Sequence, residues 1–168
     1  MEAREPTSRR GPGIGTLVLV LFVGLVAWLL YPMVRHNVLL ARFERGVRAV
    51  PLPPGTSVVA TTSRFGLLSG NGNHCDYLAV SLLSSTLPRE GLQAHFAGRT
   101  ARAAEHGGEV ELRVVPLGDA AHPDDLRFYA GFDARTEFHR ELSGAPAGGL
   151  FLLYAMDQYS ADMDFRCH

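Results

Sequence analysis

No residue from 11 to 34 carries a charge. Within this window residues 14–31 read IGTLVLVLFVGLVAWLLY. A helix of about 20 apolar residues, rising about 1.5 Å per residue, crosses the ~30 Å hydrocarbon core of a bilayer. The segment has no polar face at any period, which argues against a surface helix of a soluble core. Trp28 and Tyr31 stand at its C-terminal end, where amphipathic rings favour the lipid–water interface. Ile14, Leu21, Trp28 and Tyr31 therefore mark an expected membrane anchor, with Pro32 at the edge where a helix bends or stops.

A cleaved signal peptide is the main rival. Its apolar region normally spans about 7–15 residues and is followed closely by a small-x-small site. The stretch here is longer, and the nearest tolerable site, Val47-Arg48-Ala49, lies far downstream. Ser8-Arg9-Arg10 faintly resembles a twin-arginine signal, but Gly11-Pro12 stands where such signals carry an apolar pair, so the resemblance is discounted. Retention as a single-pass anchor is expected. Arginines flank both ends: Arg4, Arg9 and Arg10 before, and Arg35, Arg42, Arg45 and Arg48 after. The positive-inside rule is thus nearly balanced. The short N-terminal flank and an export-compatible cysteine pair favour an extracytoplasmic C-terminal domain at the cell membrane.

Four segments are expected: a flank at 1–10, the anchor at 11–34, a juxtamembrane helix at 35–50 and a domain at 51–168. In the third, Leu40, Phe43, Val47 and Val50 repeat at helical spacing, with Arg42, Arg45 and Arg48 on another side. Such a basic amphipathic helix could touch anionic headgroups. The preferred reading is that its apolar stripe packs on the domain and its arginines face water. Pro51-Leu52-Pro53-Pro54-Gly55 ends it.

The domain reads as α+β with a mostly antiparallel sheet and one main helix. Residues 56–62 (TSVVATT) are β-branched and strand-like. The turn at 69–73 (SGNGN) favours a hairpin into a strand at 75–83. A helix is expected from 86 to about 104, with Pro88 and Glu90 in its first turn and Leu92 and Phe96 as an i,i+4 pair. Gly107-Gly108 would end it. Residues 109–115 (EVELRVV) alternate, placing Val110, Leu112 and Val114 inward. A further strand at 126–132, a short helix at 133–142, a central strand at 150–156 (LFLLYAM) and a C-terminal strand ending at Cys167 complete the expectation. The loops at 66–73 and 143–149 (SGAPAGG) look mobile.

Hydrophobic residues make up 46% of the chain and charged residues 20%, which excludes disorder throughout. The net charge of -1 supplies no basic excess for a phosphate backbone, so no nucleic-acid partner is expected. All 16 basic residues are Arg. With abundant Ala, Gly and Pro, this fits codon bias in a GC-rich bacterial genome better than a demand for bidentate pairing.

Cys75 and Cys167 are the only cysteines, and a disulfide is the expected use of such a pair in an oxidising compartment. A metal site of His74, Cys75, Cys167 and His168 is the weaker alternative. Neighbours on a strand point to opposite faces, and zinc ligands usually stand two or more residues apart. Asp157, Asp162 and Asp164 could supply oxygens to calcium, but the EF-hand pattern is missing, so they read as loop carboxylates. The chain holds no G-x-S-x-G, H-E-x-x-H, Walker A or C-x-x-C motif. Gly70-Asn71-Gly72 begins like a dinucleotide motif, but Cys75 replaces the third glycine and a strand follows. His95, His106, His122 and His139 are scattered.

The function expected from these residues is a membrane-anchored envelope domain with a non-enzymatic binding or structural role. It needs no cofactor. Its partners would be the lipid bilayer and an envelope protein. The alternative is an anchored enzyme with a site around His74, Asp76 and the C-terminal carboxylates.

Overall fold

The computed structural model describes residues 13–68, 74–105, 107–117, 132–144, 149–160 and 165–167. The flank at 1–10, the turn at 69–73 and positions 145–148 lie outside these residues. So do His106, His122, Asp162, Asp164, His168 and positions 126–131 of the expected strand.

The elements in chain order are α1 (Ile14–Arg48), β1 (Thr56–Gly66), β2 (His74–Ser85), α2 (Arg89–Phe96), β3 (Thr100–Arg102), β4 (Glu109–Glu111) and β5 (Arg113–Pro116). After these come α3 (Ala134–Glu137), α4 (His139–Leu142), β6 (Gly149–Ser160) and a 3-10 turn, Phe165–Cys167. The long apolar helix and the antiparallel sheet with its helices make an α+β chain.

α1 is one helix of 35 residues. The 35–50 segment is its C-terminal part, and Pro32, expected near a bend or stop, lies inside it. A proline removes one helical hydrogen bond, a cost of about 3 kcal/mol or more in a helix interior. Packing downstream offsets this, because His36, Phe43 and Val47 are buried on one stripe of the helix. Burying Phe43 and Val47 contributes roughly 1.5–3 kcal/mol each. Arg42, Arg45 and Arg48 are exposed, as the packing reading requires. The other end of α1 differs: Ile14, Leu21, Trp28 and Tyr31 are all exposed.

One sheet has the strand order β1-β2-β6-β5, every neighbour antiparallel. β2 and β6 pair from His74↔Ser160 to Ser85↔Gly149 and form its centre. Both faces are covered, which is why both strands read as nearly continuous apolar runs. On one face Tyr77, Ala79, Leu83, Phe151, Leu153 and Ala155 pack with Phe43 and Val47 of α1 and Leu92 and Phe96 of α2. On the other, Leu78, Val80, Leu82, Leu152 and Tyr154 pack with Phe132, Ala134 and Phe138. The 133–142 region is helical, with Asp133 capping α3 by accepting from the Arg135 amide at 3.0 Å.

Three expectations need correction. The helix expected over 86–104 is α2, which ends at Phe96, and residues 100–102 form β3. Gly98 adopts φ +70°, a left-handed conformation that stops the helix, and Ala101 turns into the core. The strand expected over 109–115 is two strands: β4 pairs with β3, and β5 pairs with β6. The alternation survives the change of sheet, since Leu112 and Val114 are both buried. Cys167 lies in the 3-10 turn rather than a closing strand, and Phe132 precedes α3.

Candidate functional site at the helix–sheet junction

Three strand ends meet α1 where its apolar half gives way to its packed half. They are the C-terminal ends of β1 and β6 and the N-terminal end of β2. Pairing sets Phe65 beside Tyr77, Tyr77 beside Asp157, and Cys75 beside Tyr159. Alternation turns Cys75, Tyr77 and Tyr159 toward one face.

His36 of α1 is fully buried among these rings. Its imidazole stacks on Phe65 with centroids 4.5 Å apart and planes 14° apart. Tyr77 and Tyr159 lie tilted against it at 5.9 and 6.0 Å. His36 Nδ1 and the Tyr77 hydroxyl form a hydrogen bond. Since Tyr77 is also fully buried, a solute cannot reach this pair. What the arrangement can do chemically is satisfy two buried polar groups and fix the helix on the sheet, a position where loss of one partner is costly.

Arg166 closes the junction from the chain's other end. Its guanidinium lies 4.5 Å from the Phe65 ring centroid, a cation–π distance. Nη1 donates to Asn37 Oδ1 at 2.8 Å, and Nη2 reaches the Met33 carbonyl at 3.4 Å. The Arg166 carbonyl accepts from the Leu67 amide at 3.1 Å. This approach requires a glycine at position 66: it has φ +149°, and a Cβ there would lie 3.2 Å from that carbonyl. Cys167, next in the chain, stands at disulfide distance from Cys75, with Cα atoms 5.1 Å apart. The pair holds the 3-10 turn against β2, from where Arg166 reaches α1. On the flank of α1, Arg35 forms an ion pair with Glu105.

The other expected residues are distributed differently. His74 Nε2 lies 3.4 Å from Asp76 Oδ2, which also accepts from the Leu68 amide at 2.9 Å. Asp76 is fully buried on the face of β2 opposite Cys75 and Tyr77. Asp157 Oδ2 instead accepts from the Ala104 amide at 2.8 Å, tying the segment after β3 to β6. His74 and Asp76 are thus brought together, whereas Asp157 serves the opposite face. Among the described residues no three His, Cys, Asp or Glu side chains converge as a metal site. Sequence reasoning missed His36, Phe65, Tyr77 and Arg166. One signal was present for the first: the stripe Leu40, Phe43, Val47, extended one turn back, passes through position 36.

Three outcomes follow. The native protein should show no free thiol until reduced. Cys75→Ser and Cys167→Ser should each lower stability by about 2–5 kcal/mol, with the double variant no worse than either single one. Denaturant titration and mass analysis of unreduced, alkylated protein measure both. Tyr77→Phe keeps the ring and removes the hydroxyl from buried His36, so it should cost about 1–3 kcal/mol in the same titration. A loss below about 0.5 kcal/mol would deny the hydrogen bond a structural role.

Comparison of the chain with protein-family models, curated proteins and solved structures finds no match.

Proposed function

We propose that the chain is a single-pass membrane protein of a bacterial envelope. α1 anchors the α+β domain, which lies outside the cytoplasm and has a non-enzymatic binding or structural role toward an envelope partner. The observation that carries this reading is the division of α1. A window of mean hydropathy 2.6 in this helix is 0% buried. Leu21 is 64% exposed and Trp28 56%. In water so large an apolar surface is an aggregation hazard, whereas in lipid it is the stable state.

The core helix of a soluble protein fits poorly, because such a helix is mostly buried. A signal peptide cleaved at Val47-Arg48-Ala49 also fits poorly, because the cut would take His36, Phe43 and Val47 out of the core. The Cys75–Cys167 pairing is compatible with an oxidising compartment. A non-enzymatic role is supported by the buried His36 and Tyr77, which serve the junction, and by Asp76, which accepts from the Leu68 amide.

Full-length protein should stay in the membrane fraction after carbonate washing and keep its N-terminal segment. A reporter that works only outside the cytoplasm, fused after His168, should be active. A soluble mature form beginning near Val50 would refute the anchor. Activity of a cytoplasm-only reporter at that position would reverse the orientation.

A further inference from the structure

α1 and the β3–β4 hairpin enclose a groove of about 540 Å³. Leu39, Arg42, Phe43 and Arg45 line it from the helix, and Arg102 and Glu105 from the hairpin side. Its floor is apolar, and its walls carry three arginines and one carboxylate, Glu105. Among the described residues, neither the Arg42 nor the Arg102 side chain has an ion pair or hydrogen bond, and both residues are exposed. Arg45 Nε donates to the Ala41 carbonyl at 3.1 Å, which lays its guanidinium along the helix. Of the acidic groups nearby, Glu105 pairs with Arg35 through Oε1 while its Oε2 is buried without a hydrogen-bond partner among the described residues, and Glu109 accepts from the Thr100 hydroxyl at 2.8 Å.

The position of the groove relative to lipid follows from the exposed side of α1. Val34 and Val38 are 60% and 45% exposed, so the apolar surface continues past Tyr31. Ile14 to Val38 spans about 36 Å of helix, more than the ~30 Å hydrocarbon core. A tilt of about 30°, within the usual range, submerges both valines. Residues 34, 38, 41 and 45 share the stripe opposite buried Phe43, so this tilt turns that stripe toward the bilayer and sets the domain above it. Arg42 and Arg45, one to two turns beyond Val38, then reach the level of the headgroups, where long arginine side chains place their charge.

We propose that the groove between α1 and the β3–β4 hairpin binds the phosphate headgroup of an anionic phospholipid, with Arg42, Arg45 and Arg102 as its cationic lining and Leu39 and Phe43 as its apolar floor. The inference rests on the membrane-anchor reading and adds a ligand class to it.

The test uses the full chain in nanodiscs of phosphatidylcholine and phosphatidylglycerol, with native mass spectrometry of the protein released from them. Wild type should carry phosphatidylglycerol in excess of its share in the disc. Arg42→Gln and Arg102→Gln should each reduce that excess roughly fivefold, the equivalent of about 1 kcal/mol per arginine at a membrane surface. Arg113→Gln, an exposed arginine of β5 outside the groove, should leave it unchanged. Thermal unfolding of each variant confirms that the fold is kept. Bulk-ratio lipid on wild type, or an excess untouched by both groove variants, overturns the proposal and leaves the anchor intact. Failure to enter the discs overturns both. Glycerol phosphate bound in detergent with the same arginine dependence, and not displaced by phosphatidylglycerol, would show a soluble ligand and overturn the lipid assignment.

Discussion

The structure depends on Phe43 and Val47 of α1 packing against β2 and β6. A helix whose first half exposes a continuous apolar surface has no reason to stay attached to a sheet unless its second half is part of the core. Both side chains are about 1% exposed and share one cluster with Tyr77, Ala79, Leu83, Phe151 and Leu153. Pro32 interrupts the hydrogen bonding between the halves, yet the helix continues, because the packed segment fixes its direction. Removing α1 from the sheet would open the cluster that Phe43 and Val47 share with α2 on this face of the central strands.

Around this contact the junction adds direction. Hydrophobic packing alone tolerates sliding by a helical turn, whereas the polar contacts do not. His36 meets the Tyr77 hydroxyl, and Arg166 meets Asn37 and the Met33 carbonyl, at positions one turn apart along the helix. Arg35 and Glu105 fix the opposite flank. The Cys75–Cys167 pairing links this registry to covalent structure, since Arg166 reaches the helix from a turn that the pair holds on β2. The domain is thereby set at a defined angle to the apolar helix, and under the anchor reading this angle decides which surface faces the lipid.

The α+β class, the hairpin joining β1 to β2, the central position of β6 and the packed stripe through Leu40, Phe43 and Val47 could all be read from period and composition. Strand ends could not. β2 extends to His74 and Ser85, and β6 to Ser160, through polar residues that read as loop but complete a ladder between long partners. Residues 99–104 (RTARAA) have high helix propensity, yet Thr100–Arg102 form a strand, because Gly98 turns the chain and Ala101 enters the core. The change of sheet at Leu112 was invisible because both strands bury the same alternating positions. At the candidate site, Cys75 and Cys167 could be paired by counting. His36, Phe65, Tyr77 and Arg166 come from four distant segments, and only the pairing of β1, β2 and β6 brings them together.

The central claim is that residues 39–47 belong to the cooperative core of the domain and do not form a stalk beneath it. Hydrogen exchange on the full-length protein in nanodiscs tests this directly, because amides in a cooperative unit exchange only when that unit opens. The account predicts that amides of residues 39–47 exchange no faster than those at the centres of β2 and β6. Exchange of residues 39–47 orders of magnitude ahead of a still protected sheet would contradict it, showing a detachable helix and a domain that folds without it.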